Sequence, residues 1–465
     1  MSDDARRQLS ADRAADRDAT PDATPAATPA ATPAVDPYDA GTDEASTRRI
    51  TRIYWAMTAL NTFAIGHIVS INTLFMIDRG LSTVEWNLAN AAYSAGMVVF
   101  EIPTGVVADT LGRRPSFLLS IAVLFVGTVG TLLLAHDLLT FALLNLLFGL
   151  GYTFASGALE AWVVDALEHH NFDGELSTVF ARNGMVGAIT MLLATTSGAL
   201  LGSIELELPY IVRAAVLVPL GIFVWRTMFD DGYEPQPLTV HTLLPQMKRT
   251  ARNGLRAAFG SRAIRLLMLA AIFPSAFFLF GWYSWQPYLI QDLGTITFGS
   301  ELVWLAGVLS AVLMLATTAG NGLVSRVGRW AQRPTRVLVG CTALSAVAIL
   351  VGGAVPAFIS PGHPYNFGVA VGCLLMTMLM FGVTGPTRQG LINALIDSHE
   401  RATVLSVDSL ISNIGTTVGV IALGWLAQEV TDSGGLGLGV GWVVGSGMIL
   451  VAVPLLLMAD RAVDE

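Results

Sequence analysis

Charge is what this sequence has least of. Only 13% of its 465 residues are Asp, Glu, Lys or Arg, about half the share found in a typical soluble domain. The deficit is uneven, because the first fifty residues hold ten of the 35 acidic and six of the 26 basic side chains. The long remainder would be insoluble unless its surface faced lipid, which excludes a soluble enzyme. Lysine is almost missing, with Lys248 the single example. With a net charge of −9 and no basic stripe beside interleaved aromatics, the chain offers no footprint for nucleic acid. Cysteine is scarce too. Cys341 and Cys373 sit inside apolar runs at no metal-ligand spacing, so they are read as small hydrophobes, and no metal site or cofactor is expected.

What is present is apolar. Residues 1–50 form a tail with repeated Ala-Thr-Pro units from Ala23 to Pro33, which lacks the apolar surface to offset the entropy of ordering and is expected to be disordered. Beyond it come apolar segments of about 20 residues, the length that crosses the hydrocarbon core as helix. Twelve are read: 53–76, 86–108, 115–135, 138–164, 179–203, 209–228, 263–286, 302–325, 335–356, 366–393, 402–427 and 437–458. Runs such as Leu118 to Leu134 show no period-two alternation, so a β-barrel is excluded and an all-α membrane protein expected. If the tail is cytoplasmic, only Arg79 and Arg213 of the 26 basic residues fall on the outer side, which places both termini inside the cell membrane. The segment 229–262 separates two sets of six spans. Its Leu244, Met247, Ala251, Leu255 and Ala258, backed by Lys248, Arg249, Arg252 and Arg256, read equally as an interfacial amphipathic helix or a solvated linker.

Between the second and third spans stands Gly105-Val-Val-Ala-Asp109-Thr110-Leu-Gly112-Arg113-Arg114-Pro115. A degraded copy follows the eighth span, Asn321-Gly-Leu-Val-Ser325-Arg326-Val-Gly328-Arg329. Gly157-Ala-Leu-Glu160-Ala161 of span four likewise parallels Gly390-Leu-Ile-Asn393-Ala394 of span ten. The first motif resembles the signature G-x-x-x-D-(R/K)-x-G-R-(R/K) of the major facilitator superfamily and falls at that family's location. Thr110 departs from it by replacing a basic residue. Physically, Gly105 permits close helix approach, Gly112 a tight turn, and Arg113 and Arg114 hold the loop inside. The phrases Glu101-Ile-Pro-Thr-Gly105, Trp285-Gln286-Pro287-Tyr288 and Arg401-Ala-Thr-Val-Leu-Ser406 also look like members of the family, and the Pro-Thr-Gly and Trp-Gln-Pro phrases resemble its efflux-type members. Two departures stand against the drug–proton antiporters: Asn145, where many proton-coupled members have arginine, and a fifth span whose glycines include no Gly-Pro element.

The resemblance implies two six-helix bundles, 51–228 and 263–458, rocking about a central cavity. It implies a secondary transporter of a small solute, efflux-type and coupled to H+ or Na+, acting as a monomer in the lipid bilayer without ATP, since no P-loop pattern appears. The alternatives are an uptake symporter for a sugar or organic anion, and a non-transporting membrane sensor. It further implies a gate at the inner rim in which Asp109 meets the start of span eleven and Arg113 pairs with Asp165, with Arg326 or Arg329 and Asp397 as second-half counterparts. Such pairs would form only with the cytoplasmic side closed.

For the cavity, Asn145, Gly149, Tyr152, Ser156 and Glu160 share one helical stripe of span four, and Tyr54, Thr58, Asn61 and Asn72 another of span one. Each stripe is read either as cavity lining or as interhelical hydrogen bonding. Span seven offers Trp282, Trp285 and Gln286 between Pro274 and Pro287, a spacing that suggests a broken helix. Intramembrane charges need partners or jobs. Glu101, Glu160 and Asp408 are the coupling candidates, and Arg388 either holds an anionic group or pairs with Asp408.

Overall fold

The computed structural model describes residues 44–174, 176–230, 260–294, 300–331, 333–360, 362–396 and 401–463, all within one compact unit, Asp43–Glu465. Helices fill it, and no strand occurs among the described residues. Span one is Glu44–Val69 continued by Asn72–Asp78, followed by Thr83–Leu111, Arg113–Leu134, Leu138–His169, Leu176–Gly202 and Leu208–Thr227. The second set is Arg262–Pro287 with a π-turn at Tyr288–Asp292, then Ser300–Ala331, Pro334–Phe358, Pro364–Ala394, Arg401–Asp432 and Gly437–Ala462. Among the described residues, eleven helices are long and apolar enough to cross a membrane. Large apolar side chains such as Val126, Leu133, Ile189 and Val418 stay exposed, as a lipid-facing surface requires. The first helix already begins at Glu44, inside the segment expected to be tail, and most of the 229–262 segment lies outside the described residues.

The two halves pair their helices in the same way. Spans 2–4, 3–4, 1–5, 1–6 and 3–6 pack in the first half, and spans 8–10, 9–10, 7–11, 7–12 and 9–12 in the second. Glycine makes the tightest of these crossings. A Cβ on Gly96 would meet the Leu146 carbonyl at 2.7 Å, and one on Gly149 the Tyr93 carbonyl at 2.6 Å. Spans eight and ten repeat the device with Gly320 against Leu379 and Gly382 against Thr317, at 2.1 Å each. Larger residues would force these backbones apart.

Between the halves, spans two and eleven and spans five and eight pack together. The twelve spans run alternately up and down, so one end carries the described termini and the other, distal end carries the 79–82, 203–207 and 433–436 turns. Among the described residues, hydrogen bonds and close glycine contacts between the halves cluster at the distal end. The Thr83 N–H donates to Gln428 Oε1 at 3.1 Å, and Gln286 Nε2 donates to the Ser70 carbonyl at 2.7 Å. Gly307 abuts Ala199, and Gly424 abuts Asn87. The distal end is therefore shut.

Span seven corrects the expected break. Its helix runs through Pro274 without interruption, and irregular backbone appears only at the π-turn after Pro287. The broken helix is span one, at Ser70 and Ile71. The break frees the Ser70 carbonyl, which Gln286 takes up across the interface.

Candidate functional site

A cavity of about 340 Å³ lies between the halves. Span one contributes Ile65, Ile68, Val69 and Asn72; span two Tyr93; span four Asn145, Phe148 and Tyr152; span six Arg213; span seven Trp282 and Tyr283. Its walls are mainly aromatic. Tyr93 and Tyr152 meet edge-on with centroids 5.6 Å apart. Asn72 is fixed from two sides, accepting from the Tyr210 hydroxyl at 2.8 Å and donating to Asn90 Oδ1 at 3.3 Å.

Of the residues expected to line it, Asn145, Tyr152 and Trp282 stand on its wall. Four do not. Asn61 is half-buried elsewhere on span one, and Ser156 is exposed with its hydroxyl bonded back to the Thr153 carbonyl at 3.3 Å. Gln286 is spent on the distal closure one turn beyond Trp282. Arg388 belongs to a separate cavity of about 140 Å³ inside the second half, beside Thr384 and Ser412. There it makes a two-pronged pair with Asp408, Nη1 donating to Oδ2 at 2.9 Å and Nη2 to Oδ1. The span-four stripe divides because Gly149 packs on the span-two backbone, leaving Asn145 and Tyr152 facing the cavity. Glu160, farther along, is exposed, as is Glu101. His67 is structural: Nδ1 meets the Phe63 carbonyl at 2.8 Å and Nε2 the Ser197 hydroxyl at 3.2 Å, tying span one to span five.

The charged loop after span two holds the expected Arg113–Asp165 pair, whereas the expected contact of Asp109 with the start of span eleven lies outside the described residues. Gly112 turns at φ 107°, as its place in the motif requires. Arg113 Nε donates to Asp165 Oδ2 at 3.5 Å, but both residues belong to the first half and the pair exists with the distal end shut. It therefore cannot report the separation of the halves. Among the described residues, nothing comes within 4 Å of a Cβ built on Gly105. Arg326 and Arg329 are exposed, while Asp397 and the Asp109 side chain lie outside the described residues.

The loop's real anchor is Asp230. It accepts from the Arg114 N–H at 2.9 Å and so caps span three, whose own cap position is the side-chain-less Gly112. Burial pushes the Asp230 carboxyl above its ordinary range, against the pull of that N–H and of the Arg114 and Arg113 guanidiniums. Arg114 also donates to the Trp225 carbonyl. In the second half Asp460 takes a comparable place at the start of span nine without capping it, accepting from the Thr335 hydroxyl and lying 3.7 Å from Arg333. Sequence reasoning missed both aspartates, and it missed Arg213, which it counted only as a charge on the outer side. The available signal was its place inside the sixth apolar run, 209–228.

Comparison with known proteins agrees with this architecture. The chain is similar to the Bacillus subtilis hexuronate transporter, with 22% identity across 80% of this chain and 86% of that one. It is similar to the multidrug transporter MdfA of Escherichia coli O157:H7, with 22% identity across 86% and 92%. It matches the uncharacterized Bacillus subtilis MFS-type transporter YxaM at 20% identity over 57% of this chain and spans 65% of that relative's length. Among solved structures, the nucleoside transporter NupG superposes with a TM-score of 0.72 at 15% identity, covering 89% of this chain and 99% of that one. The family model described as Major Facilitator Superfamily matches residues 54–420. With that match, twelve spans in two like-paired halves and a cavity between them, the chain belongs to the major facilitator superfamily of membrane transporters, which are not enzymes.

Proposed function

We propose that this chain carries a small solute through the cavity between its halves by alternating access, as a monomer in the cell membrane with both termini cytoplasmic. One observation carries this reading. The cavity touches both halves, and the contacts shutting its distal end join one half to the other, so rocking the halves apart would expose the same site to the other side. The sidedness rests on the arginine asymmetry. A cysteine placed at Glu205, with Cys341 and Cys373 removed, will react with impermeant thiol reagents on intact cells, and one at Asn171 will not; the reverse pattern overturns the orientation.

Export driven by an ion gradient is the preferred direction, supported by the Pro-Thr-Gly phrase of span two and by the likeness to the multidrug relatives. Asp408 is the favoured coupling carboxylate, ahead of Glu101 and Glu160, because protonating it would dismantle a specific pair with Arg388. Counterflow of labelled candidate solutes in proteoliposomes, with and without pH and Na+ gradients, tests the reading. Asn145→Trp, which fills the cavity, will abolish counterflow; unchanged counterflow would refute the cavity assignment. Asp408→Asn will lose gradient-driven accumulation while keeping exchange. A second reading, uptake of an organic anion, is favoured by the buried Arg213 on the cavity wall and by the likeness to the hexuronate transporter.

A further inference from the structure

Among the described residues, Arg213 is the only charged one lining the central cavity, and it is fully buried. Its compensation is thin. The guanidinium carbon sits 4.6 Å from the centroid of the Phe148 ring, and Nη2 donates to the Tyr152 hydroxyl at 3.4 Å, a long contact for a charged donor. Nε and Nη1 have no hydrogen-bond partner, and no carboxylate pairs with Arg213 among the described residues. Glu207, the acid closest in sequence, is bound to Arg79 at 2.8 Å. The neighbouring Tyr210 hydroxyl is committed to Asn72. Every other side chain on the cavity wall is neutral. A cation taken this far from water is costly unless an anion arrives to meet it.

We infer that Arg213 is the anion subsite of the cavity and that the solute is a small organic anion carrying a single carboxylate. This inference rests on the reading that the cavity holds the solute. One guanidinium matches one carboxylate, whereas a phosphate monoester brings nearly two charges. The loose bond to Tyr152 is the one a carboxylate displaces, after which the phenol can turn its hydroxyl to the incoming oxygen. The body of the solute rests against Tyr93, Trp282 and Tyr283.

The test uses the full chain, purified in detergent and in proteoliposomes, with matched probe pairs: benzoate against benzamide and glucuronate against glucose. Thermal unfolding and tryptophan quenching report binding, and counterflow reports transport. At least one carboxylate of the two pairs will stabilise the wild type and its neutral partner will not. Arg213→Gln will weaken that carboxylate's binding at least about tenfold, the worth of a lost charged hydrogen bond, and Arg213→Lys will restore part of it. A structural cation would behave differently. Arg213→Met without ligand will unfold at or above the wild-type temperature, because it removes an unpaired buried charge while keeping apolar bulk. The inference is overturned if neither carboxylate binds, if neutral partners bind equally well, if Arg213→Gln retains carboxylate affinity, or if Arg213→Met melts well below wild type. The cavity reading fails separately. A neutral solute whose counterflow is blocked by Asn145→Trp would leave the cavity standing and remove only the anion subsite.

Discussion

Replacing Gln286 by Leu removes the donor that Ser70 receives across the distal closure. The perturbation is small in volume, and Gln286 is buried, so the closed state can keep its shape. What changes is the Ser70 carbonyl, which is released by the break in span one and takes the Gln286 amide at 2.7 Å. Leaving a buried acceptor without its donor costs about 1–3 kcal/mol. In the distally open state water supplies the missing bond, so the penalty falls on the closed state alone. At about 1.4 kcal/mol per factor of ten, the equilibrium moves toward distal opening by about 5- to 150-fold. Spin labels at Glu205 and Ser433, exposed at the distal ends of opposite halves, read this directly. The Gln286→Leu distance distribution will gain a longer component that Gln286→Glu, which keeps an accepting but not a donating group when ionised, will share. An unchanged distribution in both variants would refute the account of how the distal end is held.

Four further outcomes follow from the same geometry. Gly307→Val will also open the distal end, because even a Cβ there would meet the Ala199 Cβ at 2.1 Å; the same label pair checks it. Arg113→Ala will remove the pair with Asp165, which is internal to one half, and that loss will cost about 1 kcal/mol or less in thermal unfolding. Asp408→Asn will destabilise the second half by about 3 kcal/mol, because it strands the Arg388 charge; adding Arg388→Gln will recover part of the loss in the same unfolding measurement. Asp230 titrates with a raised pKa, so its contribution to stability is largest below the ordinary aspartate range and is lost as pH rises through the folded-state value. Melting temperature against pH will therefore fall across that window in the wild type, and Asp230→Asn will flatten the fall.

The spans were legible because each is a continuous apolar run of membrane length, a signal that survives without knowledge of packing. The pairing of Arg388 with Asp408 was foreseen as one of two outcomes, because 20 residues separate two intramembrane charges that both needed partners. The features that were not legible depend on where helices end and lean. No glycine or proline marks the break at Ser70 and Ile71, while Pro274, the local signal for a break, sits in a helix that continues past it. Membrane helices tolerate proline because neighbouring groups satisfy the freed carbonyl. The stripe from Asn145 to Glu160 runs about 22 Å along its helix, too far for one face to keep one neighbour. A cap supplied from a distant segment, as by Asp230, and a cross-helix bond such as Thr335 to Asp460 leave no local sequence trace at all.

The central claim is that one cavity serves both sides because the halves rock about it. Cysteines at Thr83 and Gln428, whose backbone N–H and side chain meet at 3.1 Å across the halves, can be joined by a short cross-linker in a background lacking Cys341 and Cys373. The locked protein will still bind solute from the end that carries the termini, but its counterflow in proteoliposomes will stop and will return on cleavage of the link. Undiminished counterflow in the fully cross-linked protein would contradict alternating access through this cavity.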